Sequence, residues 1–315
     1  MNARFFTAGM VLTLWACGAL SCSSGPDREV RGLLANRVTD LHEQGRRFLK
    51  HGETSRAKTV FEKARRLAAS VDDLPGVIQA LNGLGRVAIE EGVPTQAVAW
   101  HRQALEMAEK TGDSAAILQS VGHLGAALHQ AGQWDEAMGL YQRGLQVAKQ
   151  VADRETEAVL LNNVGLLEQQ HGNELAAERS FQQALEINRA VGARQAEASN
   201  QVNLGLLSES RGRLDEARRY VEQGLALDKL LENQLGVAAD LSILSRIAEK
   251  QGRKDAALEY GERAYRGYQA LGGNDRAMAE LTRAIRLAKE LGVLEKAQRL
   301  GAELMSEERR LGPPK

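Results

Sequence analysis

The chain has 315 residues, 26% of them charged, and its 41 lysines and arginines balance its 41 aspartates and glutamates. A nucleic-acid-binding domain needs a basic patch or stripe to meet the phosphate backbone, and this sequence has neither, so we do not expect a nucleic-acid partner. The length would allow two ordinary domains, but one repeat pattern runs unbroken through most of the chain. We therefore predict a single elongated domain over residues 34–311, followed by a short tail over residues 312–315.

The first 21 residues have the features of a secretory signal peptide. A positive charge at Arg4 precedes an apolar run of about 16 residues, which falls short of the roughly 20 that a membrane-spanning helix needs. The run ends in Ala19-Leu20-Ser21-Cys22, which resembles the lipobox of bacterial lipoproteins. The resemblance implies that residues 1–21 are cleaved off and that Cys22 becomes the lipid-attachment residue.

Two alternatives for this segment stay open. Cys17 is a rival lipid site, although Trp15 lies two residues before it and fits the lipobox poorly. The other alternative is an ordinary signal peptide with no lipid at Cys22. Because these are the only two cysteines, a chain cleaved before Cys22 keeps no second thiol for a disulfide, which favours a lipid role.

Residues 22–33 are predicted to form a tether between the lipid and the folded domain. Ser23 directly follows the cysteine. By resemblance to lipoprotein sorting in double-membraned bacteria, a serine there, unlike an aspartate, implies delivery to the outer membrane. The expected location is therefore the periplasmic face of the outer membrane, with the membrane bound through the N-terminal lipid.

Two small residues recur every 40 residues through the rest of the chain. The first is a glycine, here called the ladder glycine, and an alanine follows it five residues later in all seven repeats. The ladder glycines are Gly52, Gly92, Gly132, Gly172, Gly212, Gly252 and Gly292, and the alanines are Ala57, Ala97, Ala137, Ala177, Ala217, Ala257 and Ala297. A fixed period of this size indicates a solenoid, in which each unit buries its apolar face against its neighbours.

The segment before each ladder glycine is predicted to be an amphipathic helix, helix A of the repeat. In the second repeat Leu81, Leu84 and Val87 have helical spacing, and Gly92 can end the helix in the left-handed conformation. Seven residues before the ladder glycine lies a second small position, occupied by Gly45, Gly85, Gly125, Gly165, Gly205 and Ser245, with Ile285 in the last repeat. Four A helices are predicted to begin at the N-caps Asp73, Asp113, Asp153 and Asn233.

The segment after each ladder glycine is predicted to be a second helix, helix B. Five residues of N-cap type lie three positions after a ladder glycine and should start this helix: Ser55, Thr95, Asp135, Asp215 and Asp255. We expect the small residues of helices A and B to face each other, which would bring the two axes to roughly 8 Å. Seven such pairs give fourteen helices, and the fold class is all-α.

Several positions in these helices resemble the tetratricopeptide repeat. Leu81-Asn82-Gly83-Leu84-Gly85 and Leu161-Asn162-Asn163-Val164-Gly165 are each followed by a glycine, an alanine, an aromatic residue and a second alanine at the family's offsets. The resemblance covers residues 38–304, in a long variant of 40 residues instead of the usual 34 or so. It implies a right-handed superhelix of seven helix pairs, with helix A lining a concave side that binds a peptide or partner protein.

The resemblance also implies which helix A positions contact that partner. The positions two and three residues before the small residue include Asn82, His123, Asn162, Asn163 and Asn203, and the position after it includes Arg86, Leu166, Leu206 and Arg246. Side-chain amides can pair with the main chain of an extended peptide. Because this last position is charged towards both ends of the array and apolar in its middle, it suits a segment with an apolar centre and carboxylates towards its ends.

Each of these groups has a structural alternative. The asparagines can instead bond helix ends or neighbouring repeats, and Leu166 and Leu206 can instead belong to the core. Some members of the family clamp a chain-terminal carboxylate with clustered lysine, asparagine and arginine. Asn82 and Arg86 share a repeat here, but the matching lysine positions hold nothing basic, so we do not expect that clamp.

The sequence contains no motif for catalysis, a cofactor or a metal. Leu41-His42-Glu43-Gln44-Gly45 lacks the second histidine of the zinc motif HExxH. His123 and His129 lie six residues apart on one helix and so face different ways, while His51 and His171 precede ladder glycines, where a cation complements a helix C-terminus. We therefore expect a non-enzymatic protein without a cofactor or small-molecule substrate.

These features favour a lipid-anchored scaffold that binds a peptide or protein segment in its groove and helps to assemble or localise a cell-envelope complex. The alternative is a peptide-responsive sensor that changes shape on binding. A scaffold should keep its partner through purification, whereas a sensor should bind a short peptide and change its overall dimensions.

Overall fold

The computed structural model describes residues 26–311, which form fourteen α-helices joined by short turns. The helices are α1 (Pro26–Lys50), α2 (Thr54–Ser70), α3 (Leu74–Glu90), α4 (Pro94–Thr111), α5 (Ser114–Gln130), α6 (Trp134–Gln150), α7 (Arg154–Gln170), α8 (Glu174–Val191), α9 (Arg194–Ser210), α10 (Leu214–Leu230), α11 (Gln234–Lys250), α12 (Lys254–Ala270), α13 (Asn274–Glu290) and α14 (Leu294–Leu311). Odd-numbered helices are the A helices and even-numbered helices the B helices. The predicted all-α solenoid of seven helix pairs is confirmed.

The first helix begins earlier than the sequence suggests. α1 starts at Pro26, so residues 26–33 of the predicted tether are helical. Val30 and Leu33 on this stretch are 51% and 63% exposed, so it adds little to the core. The signal segment, Cys17, Cys22 and the tail over residues 312–315 lie outside the described residues.

Each ladder glycine ends an A helix in the left-handed conformation, with φ between +71° and +76°. The residue after it donates its N–H back into the helix, as Glu53 does to the Phe48 carbonyl at 2.9 Å. This closure satisfies carbonyls that the helix end would otherwise leave free. The turns from helix B to the next helix A also contain a left-handed residue every 40 positions: Asp72, Gly112, Ala152, Gly192, Glu232 and Gly272.

The predicted caps of the A helices are confirmed, whereas those of the B helices are wrong. Asp73, Asp113, Asp153 and Asn233 each accept a hydrogen bond from a backbone N–H in the first turn. B helices begin one or two residues earlier than expected, so Ser55, Thr95, Asp135, Asp215 and Asp255 are the second residues of their helices. The tight glycine turn leaves only one residue before helix B, and where that residue is described it makes no side-chain cap.

The small position of helix A packs against a large residue of helix B, not against another small one. A Cβ atom added to Gly125 would lie 2.2 Å from the Tyr141 ring, and one added to Gly165 would lie 2.6 Å from the Phe181 ring. Such distances are inside van der Waals contact, so these positions exclude any side chain. The expectation that small residues face each other is therefore wrong, because the B-helix residue opposite lies 16 positions later and is aromatic in the first four repeats.

In the last two repeats the glycine stands on helix B instead of helix A. Ser245 and Ile285 occupy the small position of helix A, and the residues 16 positions later are Gly261 and Gly301. The Ser245 hydroxyl donates to the Ala257 carbonyl at 2.7 Å, and Ile285 is buried. In the sixth repeat the helix A serine thus faces a helix B glycine, since a Cβ atom added to Gly261 would lie 3.2 Å from the Ser245 hydroxyl.

The A helices form the inner surface of the solenoid. Neighbouring A helices pack directly on each other, as α1 does on α3, α3 on α5, α5 on α7 and α7 on α9. The ladder alanines of helix B are buried between the helices of each repeat. Residues on the outer side of the A helices are therefore core, and those on the inner side form a groove.

Candidate functional site

A cavity of about 860 Å³ opens on the A helices of the second, third and fourth repeats. Its walls include Gln79 of α3, Gln119 and His123 of α5, and Val159 and Asn163 of α7. Val159 is 49% exposed, although an aliphatic side chain on a solvated face gains nothing from that position. The cavity is open, elongated across three helices and lined mostly by uncharged groups, which suits an extended segment of another chain.

Two of the predicted asparagines, Asn162 and Asn203, bond with each other inside the fold, and Asn162 also bonds with Asn200. Asn162 Oδ1 accepts hydrogen bonds from Asn200 Nδ2 at 2.9 Å and from Asn203 Nδ2 at 2.8 Å. Asn200 Oδ1 in turn accepts one from the buried Asn188 Nδ2 at 2.6 Å. These bonds join α7, α8 and α9 and match the structural alternative for Asn162 and Asn203, which link neighbouring repeats.

Asn163 and His123 differ from those asparagines because both line the cavity. Asn163 also forms a side-chain hydrogen bond with Tyr141, the aromatic residue that covers Gly125. Burial raises the pKa of Tyr141, and the bond with Asn163 opposes part of that rise. The Tyr141 hydroxyl is therefore a neutral group beneath the groove at physiological pH.

A buried polar cluster lies beneath one end of the cavity. The His101 ring stacks on the His123 ring with 5.3 Å between centroids, and His101 Nδ1 lies 2.9 Å from Asn82 Oδ1. Burial, followed by the nearby His123 and Arg86, lowers the pKa of His101 to about 3. The pKa of His123 is also lowered, first by burial and then by Arg86, so both rings are neutral at pH 7.

Sequence reasoning missed His101, although a signal was present. His101 stands 16 residues after Gly85, at the register where Phe61, Tyr141 and Phe181 stand in other repeats. A Cβ atom on Gly85 would lie 2.3 Å from His101 Nε2, so the histidine fills the aromatic position of its repeat. A polar ring in an otherwise apolar column would have drawn attention to this repeat.

The predicted apolar and charged residues are spread along the groove. Leu166 is half-buried and packs against the core around Phe181, while Leu206 is half-buried. Arg86 is exposed. Arg246 forms a two-pronged pair with Glu209 of α9, with its Nε and Nη2 atoms each 2.7 Å from a carboxylate oxygen.

The Arg246 pair is part of the solenoid and not a free binding group. Glu209 is buried, which by itself raises its pKa, but hydrogen bonds from Arg246 and Lys250 bring the pKa below its usual value. Arg286, one repeat later, reaches Glu249 at 2.7 Å and Glu290 at 2.9 Å. At this end of the groove, therefore, the arginines join successive A helices.

Residues 26–311 contain neither a cluster of metal-ligating side chains nor a helix that could span a membrane. Among residues 26–311, no three histidine, cysteine, aspartate or glutamate side chains come together in a way that could hold a metal ion. Over the same range, no helix combines the length and the apolar character that crossing a membrane requires. Cys22, the expected lipid-attachment residue, lies outside that range.

Similar solved structures share the helical solenoid. BtubC from P. vanneervenii is 22% identical, with 75% of this chain and 92% of that chain covered and a TM-score of 0.59. A signal transduction ATPase (STAND protein) with a tetratricopeptide repeat sensor from Pyrococcus horikoshii is 18% identical, with 90% and 48% covered and a TM-score of 0.66. The apo quorum sensor NprR from B. thuringiensis is 14% identical, with 89% and 79% covered and a TM-score of 0.63. At these identities the similarity shows the fold alone.

Sequence comparison identifies the repeat itself. No curated protein sequence matches the chain significantly. Two family models, both described as tetratricopeptide repeat, match it: one over residues 42–114 and the other over residues 114–190 and 195–270. Because these matches together cover well over half of its length, the chain belongs to the tetratricopeptide repeat family.

Proposed function

We propose that the chain is a non-enzymatic adaptor that holds a peptide or a segment of a partner protein in the groove along its A helices. The observation that carries this proposal is the 860 Å³ cavity across α3, α5 and α7, with amides and the exposed Val159 on its walls. An extended segment offers unpaired main-chain groups to such amides and apolar side chains to Val159. Proteins of this family bind protein or peptide partners, which supports the same reading.

The proposed setting is the cell envelope. Cys22 would carry a lipid, and the array would extend from the periplasmic face of the outer membrane to hold or localise an envelope complex. The support is the lipobox-like Ala19-Leu20-Ser21-Cys22 at the end of an apolar run. A Cys22→Ala variant tests this part: the protein should move from the membrane fraction to the soluble fraction of the periplasm, and unchanged fractionation would contradict lipid attachment.

The groove is tested by comparing two single variants, each of which replaces an exposed aliphatic residue. Val159→Arg places a charge in the cavity, whereas Leu175→Arg places the same charge on the first turn of α8, where Leu175 is 71% exposed. Tagged variants are crosslinked in the native cell and the captured proteins are quantified by mass spectrometry. We expect Val159→Arg to lose a captured partner that Leu175→Arg keeps; equal capture by both variants would contradict binding in the groove.

A second candidate function is a sensor that changes shape when a peptide binds. It is favoured by the resemblance of nearly the whole array to the quorum sensor NprR, with 89% of this chain covered, although that similarity concerns the fold. Small-angle scattering separates the two functions once a peptide is in hand. A sensor should change its radius of gyration on binding, whereas an adaptor should keep it.

A further inference from the structure

One register position on the A helices carries arginine in four repeats. Six residues before the ladder glycines Gly52, Gly92, Gly252 and Gly292 stand Arg46, Arg86, Arg246 and Arg286. The last two are paired with Glu209 and Glu249, each of which lies three residues before the ladder glycine of the preceding repeat. Arginine at this position is therefore paired with a glutamate on the preceding A helix in two successive repeats.

Arg86 has no such glutamate on the preceding A helix. The residue of the preceding repeat that corresponds to Glu209 and Glu249 is Leu49, which offers no charge. Within residues 26–311, neither Arg46 nor Arg86 has a carboxylate oxygen within 4.0 Å; Glu43 and Glu90, one turn away on the same helices, also stay beyond that distance. Both arginines are exposed, and they occupy the same register position of α1 and α3, two A helices that pack on each other.

The histidines near Arg86 add no charge of their own. The positive charge of Arg86 lowers the pKa values of His101 and His123, which are lowered first by burial, so both rings are neutral at pH 7. This end of the groove therefore presents two exposed guanidinium groups, neither of which has a carboxylate oxygen within 4.0 Å among the described residues.

We infer that Arg46 and Arg86 form a subsite for two acidic side chains of the partner segment, an inference that rests on the proposed function of the groove. A guanidinium binds a carboxylate through two parallel N–H donors, and Arg246 shows that this register suits such a pair. Two acidic side chains supply a separate carboxylate for each of the two guanidinium groups. Acidic side chains of an internal segment match both.

The spacing of the two acids follows from the spacing of the helices. Packed helices lie about 8–10 Å apart, and an extended chain advances about 3.3 Å per residue, so the two acids should be separated by two to four positions. Beyond them the cavity wall offers the uncharged Gln119 and Val159. The partner is thus acidic at one end only, because the arginines at the far end of the array already have partners in the fold.

The probe for this subsite is a phage-displayed library of random 15-residue peptides, selected on the full chain held by a C-terminal tag in detergent. We expect enriched sequences with two aspartates or glutamates in that spacing, followed by uncharged residues. Affinities of the corresponding synthetic peptides are measured by fluorescence anisotropy. Because the contact is between exposed charges, the dissociation constant should rise with ionic strength.

Arg46→Gln combined with Arg86→Gln should weaken binding about tenfold or more and remove most of its salt dependence, since both come from the same contacts. The matched control is Arg66→Gln with Arg219→Gln, which removes the same charge from exposed positions on the B helices α2 and α10 and should leave the affinity unchanged.

The outcomes separate this inference from the proposed function. Peptides that lack acids, lose affinity in Val159→Arg and bind equally well to the Arg46 and Arg86 double variant would overturn the subsite and support the groove. Equal weakening by the two double variants would also overturn the subsite, because it would reflect net charge. No enrichment over a matrix without protein would overturn both.

Discussion

Helix B of one repeat packs on helix A of the next, and this contact is here called a joint. Two successive joints place polar side chains at the same register, but the side chains differ in charge. Between α8 and α9, Asn188 Nδ2 donates to Asn200 Oδ1 at 2.6 Å. Between α10 and α11, forty residues later, the corresponding residues are Asp228 and Asp240, which are 6% and 2% exposed. Two amides satisfy each other at any pH, whereas two buried carboxyl groups need a proton between them.

The structure shows the consequence at Asp240. Burial raises its pKa to about 7, and the charge of Asp228 raises it in the same direction. Asp228 Oδ1 accepts a hydrogen bond from Asn233 at 3.0 Å, but Asp240 Oδ2 has no donor among the described residues. Tyr268 of α12 also interacts electrostatically with Asp240, and its own neighbours include Arg276 and Glu280 of α13.

The sign of the pH effect follows from the two pKa values of Asp240. The pKa in the folded chain is about 7 and the ordinary value is 3.8, so the folded state holds the proton more tightly. The stability from this proton is fully present below pH 3.8 and is lost as the pH rises to about 7. The aspartate joint should therefore weaken near neutral pH, while the asparagine joint should not.

The largest expected effect comes from making the aspartate joint resemble its neighbour. Asp240→Asn removes the need for a proton and supplies an amide donor towards Asp228. It should raise the free energy of unfolding at pH 8 by roughly 2–4 kcal/mol and flatten its dependence on pH between 5 and 8. Urea unfolding, followed by circular dichroism at a series of pH values, measures both changes.

Glu106→Gln is the control for that substitution. Glu106 is an exposed carboxylate on α4, so its replacement changes the net charge equally without touching a joint. The control should keep the pH dependence of the unmodified chain. If Asp240→Asn keeps it as well, the carboxyl pair is not the origin of that dependence.

The reverse substitution should give a smaller effect. Asn200→Asp places a carboxyl group where Asn200 now donates to Asn162 Oδ1 and accepts from Asn188. The lost donor leaves two oxygens facing each other, so the free energy of unfolding at pH 8 should fall by about 1–3 kcal/mol, with part of the loss recovered at pH 5. An equal loss at pH 5 and pH 8 would show that the new carboxyl group stays ionised throughout.

The comparison also shows which features the sequence could predict. The ladder glycines and the A-helix caps were predicted because each depends on residues within a few positions and recurs along the chain. The pairing of Gly125 with Tyr141 depends on a contact across the turn between two helices, and the period alone does not reveal it.

Contacts between repeats were even harder to predict from the sequence. Whether Asn162 faces a ligand or Asn203 depends on the angle between successive repeats, which a spacing of 40 residues does not fix. Arg246 and Glu209 were visible as charges, but only the packing of α11 on the preceding repeat shows that they meet. The sequence therefore predicted which positions face the groove. It did not predict which of those side chains bond to other residues of the fold.

The smallest expected effect concerns the turns before the two joints. Gly192 and Glu232 occupy the same left-handed position, with φ of +74° and +54°, ahead of α9 and α11. A residue with a Cβ atom pays a steric cost there that glycine avoids, although glycine loses more entropy on folding, so Glu232→Gly should stabilise the chain by only about 0.5–1 kcal/mol. The gain should be the same at pH 5 and pH 8, because the turn does not alter the proton at Asp240. A gain confined to pH 8 would instead show that the charge of Glu232 adds to the repulsion within the aspartate joint.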